Sequence, residues 1–176
     1  SSGTIDWYDA VSGGALQGTG TSWSTGSIST TTTYYAEAVS AEGCTSAVRV
    51  SALATINELP AVTSTTGAER CGEGSVSLEA LASSGTIDWY DAVSGGALQG
   101  SGSPWSTGNL TGTTTYYAEA VSADGCTSSV RVSALATIND LPTVASTTGA
   151  ERCGEGAVSL EAVASSGTID WYDAVS

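Results

Sequence analysis

Short runs of alternating apolar and polar residues recur along the chain, separated by clusters of Gly, Ser and Thr. From Ser75 to Leu81, Val76, Leu78 and Ala80 share one face, while Ser77 and Glu79 share the other. A period of two is that of a half-buried β-strand. In the run around Thr115–Ser122, Glu119 is assigned to water. That choice puts Tyr117 outside and sends Tyr116, Ala118 and Ala120 inward. In the next run Val130 and Val132 face in and Arg131 faces out. Read in this way, residues 59–140 carry strands near 61–66, 75–81, 86–91, 96–99, 104–110, 115–122 and 129–138. About seven short strands with frequent turns predict an all-β sandwich. The earlier residues give matching strands at Thr4–Asp9, Ala15–Gln17, Ser22–Ile28, Tyr34–Val39 and Ala47–Ile56.

One stretch sets the spacing of all the others. SSGTIDWYDAVS occurs at Ser1–Ser12, Ser83–Ser94 and Ser165–Ser176, a period of 82 residues. Such a repeat predicts a tandem array. The units fall at 1–58, 59–140 and 141–176, with only the middle one whole. Opening and closing inside one motif leads us to expect part of a longer array. Residues 1–94 and 83–176 differ at only about 14 positions, so neighbouring units do one job rather than several. A large ring in a short strand is a natural centre for a small core. Trp7, Trp89 and Trp171 are therefore the expected core residues, with Tyr34 and Tyr116. Tyr116 stands where sandwiches place a tyrosine that hydrogen-bonds back to the main chain.

Charge narrows the function classes. The net charge is −14, with four Lys plus Arg (all Arg) and no His. Binding phosphates needs a basic face, so nucleic acid is excluded as a partner. An anionic membrane surface is disfavoured for the same reason. No apolar run of about 18 residues is present, hence no membrane-spanning helix is expected. Without His, Ser–His and Cys–His catalysis are excluded, and no motif marks a cleft for paired carboxylates; we expect no enzyme. Arg49 and Arg131 are placed to pair with Glu37 and Glu119 across neighbouring strands.

As a set, RCGEGSVSLEA, GTIDWYDAVSGG, TTTYYAEAVSADGCTS and the strand ending in ATINDLP resemble the immunoglobulin-like repeats of Bacteroidetes surface proteins. The resemblance covers essentially the whole chain. It implies a linear array of immunoglobulin-like or fibronectin-III-like β-sandwiches, exported by type IX secretion and held at the cell surface. It further implies the stalk of a long adhesin or filament, including those of gliding motility. The implied partners are neighbouring repeats, other copies in a filament, and a surface or glycan ligand at a distant tip. No catalytic site and no cofactor follow from it.

Four cysteines, Cys44, Cys71, Cys126 and Cys153, give each full repeat two. In an extracellular setting an even count suggests disulfides. Cys71 is expected in the turn before the second strand, and Cys126 in the turn after the sixth. Those turns lie at opposite poles of a sandwich, too far apart for a bond that needs Cα atoms within about 7 Å. Head-to-tail stacking would bring a Cys71-type residue to the Cys126-type residue of the following repeat, so staples between domains are favoured. Bonds within one domain, a Cys44–Cys71 bond and free thiols remain the alternatives. With no His and no CxxC, a zinc site is not expected. Asp88 and Asp91, with Asp140 in a linker, are the candidate Ca²⁺ ligands; a solvated acidic face is the competing reading, as no EF-hand loop is present. Trp23 and Trp105 either fill the core or offer platforms to sugar rings, the core being favoured.

Overall fold

A strand needs a neighbour before it can form, and this governs which predicted strands appear. The computed structural model describes residues 3–173, all in strands, turns and irregular segments. The ends of the first and last motif copies (1–2 and 174–176) lie outside the described residues. The chain divides into two units after Leu59.

The first unit holds β1 (Thr4–Tyr8), β2 (Leu16–Thr19), β3 (Thr32–Val39) and β4 (Val50–Ala54) in one sheet of order β2-β1-β3-β4. All its neighbours are antiparallel. Ser22–Ile28, expected as a strand, does not pair. Tyr34 is the buried hydrophobic of this unit.

In the second unit the complete repeat builds two layers. One is a three-stranded sheet of β5 (Val62–Thr66), β7 (Ser77–Ala82) and β10 (Trp105–Ser106), in the order β10-β7-β5. The other has five strands: β6 (Ala68–Cys71), β8 (Thr86–Tyr90), β9 (Leu98–Ser101), β11 (Thr114–Val121) and β12 (Val132–Asn139), in the order β6-β12-β11-β8-β9. The chain is thus an all-β sandwich in this unit, as the alternation predicts. The expected first strand appears as β5, but an unexpected strand, β6, follows it after Gly67. β5 pairs antiparallel with β7, whereas β6 crosses to the other sheet and pairs parallel with β12. Gly67 makes the crossing, where a Cβ would stand 2.5 Å from the Leu135 carbonyl oxygen. A side chain there would force the two backbones apart. This extra strand places Cys71 at the end of β6, not in the expected turn.

Between the layers, Val76, Leu78, Ala80, Ile87, Trp89, Tyr116, Ala118, Ala120, Ala134 and Ala136 form the core. Leu78 and Trp89 are fully buried. The alanines of β11 and β12 leave room for the Trp89 ring, the alternation of large and small that close packing requires. Thr65 ties the layers together by donating to the Ser133 carbonyl at 2.7 Å. One expected inward residue is misplaced: Val130 is 66% exposed. The turn preceding β12 delays regular pairing until Val132, so the alternation does not extend back to Val130.

The remaining residues form β13 (Val144–Thr148) and β14 (Glu161–Ala164), an antiparallel pair. Trp171, expected in a core, is 56% exposed and lies outside any strand. The strands that flank Trp89 in the complete repeat have no counterpart beside it among the described residues.

Candidate functional site

The chemistry-bearing side chains gather around the Trp strand. The Trp89 indole donates to the Gly102 carbonyl at 2.9 Å, which satisfies its only polar atom. Trp105 stacks on Trp89 at 5.6 Å between ring centres and meets Tyr116 edge-on at 5.0 Å. Gly100 leaves space for this, because a Cβ there would fall on the Trp105 ring. Trp7, Trp23 and Tyr34 repeat the arrangement at 5.9 and 5.0 Å. Trp23 and Trp105 are half-buried and spend one ring face each on packing. The Tyr116 hydroxyl has no hydrogen-bond partner among the described residues, so the expected bond back to the main chain is not made. The Trp105 contact holds the ring instead. Burial, and then the nearby Asp91 carboxylate, push the Tyr116 phenol above its ordinary range.

On the outer face of the five-stranded sheet Arg131 closes a second cluster. Its Nε meets Glu119 Oε2 at 3.0 Å, and its guanidinium lies 3.3 Å over the Tyr90 ring. Nη1 donates to the carbonyls of Ala92 at 2.9 Å and Gly95 at 2.6 Å. One side chain therefore locks the turn after the Trp strand to two other strands. Arg49 does the same with Glu37, Tyr8, Ala10 and Gly13. The Arg–Glu pairs were legible in the sequence; the stacking and the carbonyl contacts were not. Their signal was that Tyr90, Glu119 and Arg131 all point to the same outer face. Glu119, assigned to water, keeps only 16% of its side chain exposed beneath the arginine. Burial pushes the Tyr90 phenol up; Glu119 and Asp88 push it further and Arg131 opposes them.

A shallow cleft of about 450 Å³ borders each clamp, walled by exposed Val93 and Val130 and floored by Ser128 and Arg131. The first unit has its counterpart, about 480 Å³, between Val11 and Val48.

The acidic candidates do not converge. Asp91 accepts from the Ala97 amide and from Gln99, and so builds its own turn. Asp88 accepts from Ser101, and Asp140 is exposed in the linker. Among the described residues, no group of three or more His, Cys, Asp or Glu could hold a metal ion. All four cysteines are free. Cys71 ends β6 opposite Asn139, whereas Cys126 lies in the turn that leads into β12. The eight residues of β12 separate those ends by roughly 25 Å.

The family of the Ig-like domain CHU_C associated matches at residues 1–57 and again at 58–139. The chain belongs to this family. Among solved structures it is similar to the fibronectin(III)-like modules of Clostridium thermocellum CbhA, at 19% identity over 78% of each chain with a TM-score of 0.42. No curated protein sequence matches it. No helix of the described residues is long and apolar enough to cross a membrane.

Proposed function

We propose that these Ig-like repeats are the spacer units of a long extracellular protein, the stalk or filament shaft of a Bacteroidetes surface adhesin. The observation that carries this reading is the closed chemistry of both units. Each tryptophan–tyrosine cluster and each Arg–Glu–Tyr clamp spends its groups on the domain's own packing. Units that are nearly identical and inwardly satisfied add length, not new sites. Half-burial of Trp23 and Trp105 speaks against a sugar platform. The net charge of −14 keeps parallel shafts apart.

The placement of cysteines supports covalent stiffening of the shaft. With Cys71 at the pole where β12 ends and Cys126 at the opposite pole, the two cysteines of one repeat are too far apart to bond, which leaves each to a neighbouring repeat. Calcium at Asp88, Asp91 or Asp140 has no cluster to support it. Non-reducing peptide mapping of an array of several repeats tests the reading. We expect each Cys71-type residue linked to the Cys126-type residue of the following repeat. Links confined to single repeats would overturn the staple, and thiols free in protein recovered from the cell exterior would overturn it equally.

A further inference from the structure

In the complete repeat the chain enters through β5, passes straight on into β6 at Gly67, and leaves through β12. β6 and β12 are neighbours in one sheet and run parallel. Their register sets Ala68 against Ala136, Glu69 against Thr137, Arg70 against Ile138 and Cys71 against Asn139. Tension between the two ends of the repeat therefore acts on the first residue of β6 and on the last residue of β12. Those points lie at opposite ends of one ladder. The strands are drawn past each other, so the evenly spaced bonds of a parallel pair share the force and must break together. In an antiparallel pair both forces would meet at one end and open the bonds in turn.

Further contacts hold this ladder at both ends. Before its start, Thr65 donates to the Ser133 carbonyl at 2.7 Å. Beyond its finish, the Gly72 amide donates to the Asn139 carbonyl at 2.8 Å. Leu141 leans on Gly72, where a Cβ would stand 3.0 Å from the leucine Cδ1. One side of the ladder is dry: Ala68 and Ile138 pack against the core, and Ala136 has no exposed surface. Water reaches those bonds only from the other side, and a bond broken without water to replace it is costly. The far edge of β12 is held by β11 over five residue pairs, so β12 cannot follow when β6 is pulled.

We propose that the β6–β12 ladder is a mechanical clamp, by which a repeat withstands tension along the chain without unfolding. Resistance to force is set by the rate of unfolding along the pulled direction and not by equilibrium stability. A short ladder loaded in shear therefore protects a domain whose core is small. The clamp uses no cysteine, so it acts in reduced protein as well. The purpose of such a clamp rests on the shaft reading; its geometry does not.

Single-molecule stretching of the full chain, in reducing buffer and at one loading rate, tests the proposal by comparing two directions of pull. Cys71 is exposed at the end of β6. It alone takes a thiol-linked handle in the variant Cys44→Ser, Cys126→Ser, Cys153→Ser. Pulled between its two ends, this chain loads the ladder in shear. Pulled between Cys71 and the C-terminus, it loads adjacent ends of β6 and β12 and peels them apart. The released length identifies the event that belongs to the complete repeat. We expect the end-to-end pull to unfold that repeat at several times the force of the peeling pull. Equal forces in the two directions would overturn the clamp, as would a repeat that yields more easily end to end. Either result would leave the shaft reading standing on its own test, the pairing of cysteines between repeats.

Discussion

Arg131 shows how much one side chain can hold in a domain with so few cations. Its guanidinium bonds a carboxylate and two carbonyls and covers a tyrosine ring. A lysine ammonium cannot supply that planar fork. Arg131→Lys should therefore cost about 1–3 kcal/mol in urea denaturation, with Glu119→Gln costing less because the carbonyl bonds survive. At the centre, Trp89→Ala should remove about 3–5 kcal/mol, by loss of transfer energy plus the cavity left behind. The tyrosines give a pH signature. Tyr90 and Tyr116 have folded values raised above the ordinary 10.0. The folded state then holds these protons more tightly than the unfolded state does. Their contribution is complete below pH 10 and is lost as pH climbs through the raised values. Melting temperature should stay level through neutrality and fall in alkali, and the double variant Tyr90→Phe, Tyr116→Phe should flatten that fall.

Among the elements, the unexpected strand β6 matters most. β5 and β6 are consecutive in sequence but serve opposite sheets, and Gly67 lets the chain pass close to Leu135. Gly67→Ala should cost about 1–3 kcal/mol, as overpacking does. It should also raise amide exchange selectively in Ala68–Cys71 and along β12, which hydrogen–deuterium exchange would locate. A loss spread evenly over the domain would refute this account. The alternation of Val76–Ala80 and Tyr116–Ala120 was readable because one face of each strand is buried and the other is wet. β6 was not readable, since Ala68–Cys71 carries Glu69 and Arg70 and shows no alternation of apolar and polar residues, and its partner β12 lies far along the chain. Cys71 was misplaced for the same reason. The run at 104–110 is broken by Pro104, Gly108 and Asn109, which strands disfavour, and only Trp105–Ser106 pairs with β7, with Leu110 meeting Gly74 in an isolated bridge.

At the scale of the whole molecule, near-identity of sequence does not give equal stability. The complete repeat buries a ten-residue core, whereas the first unit buries Tyr34 at 9%. In dilute solution, exchange at β1–β4 should be far faster than at β7, β8, β11 and β12. Equal protection in both units would contradict the stability difference. Nearly the same 58 residues thus form one four-stranded sheet in one setting and most of a sandwich in the other.

The chain by itself determined most of the strands, the period of 82 and the inward faces of Val76–Ala80 and Tyr116–Ala120. These are local properties: period-two alternation, turn residues and exact repetition are written residue by residue. It also determined the absence of His-based catalysis and the acidity. Only the tertiary structure decided which strands found partners. It also decided that Trp171 stays exposed while its copy Trp89 has no exposed surface, and that Glu119 lies beneath a guanidinium. The physical reason is that pairing and burial belong to neighbours distant in sequence: identical segments meet different neighbours, and burial follows the neighbour rather than the segment.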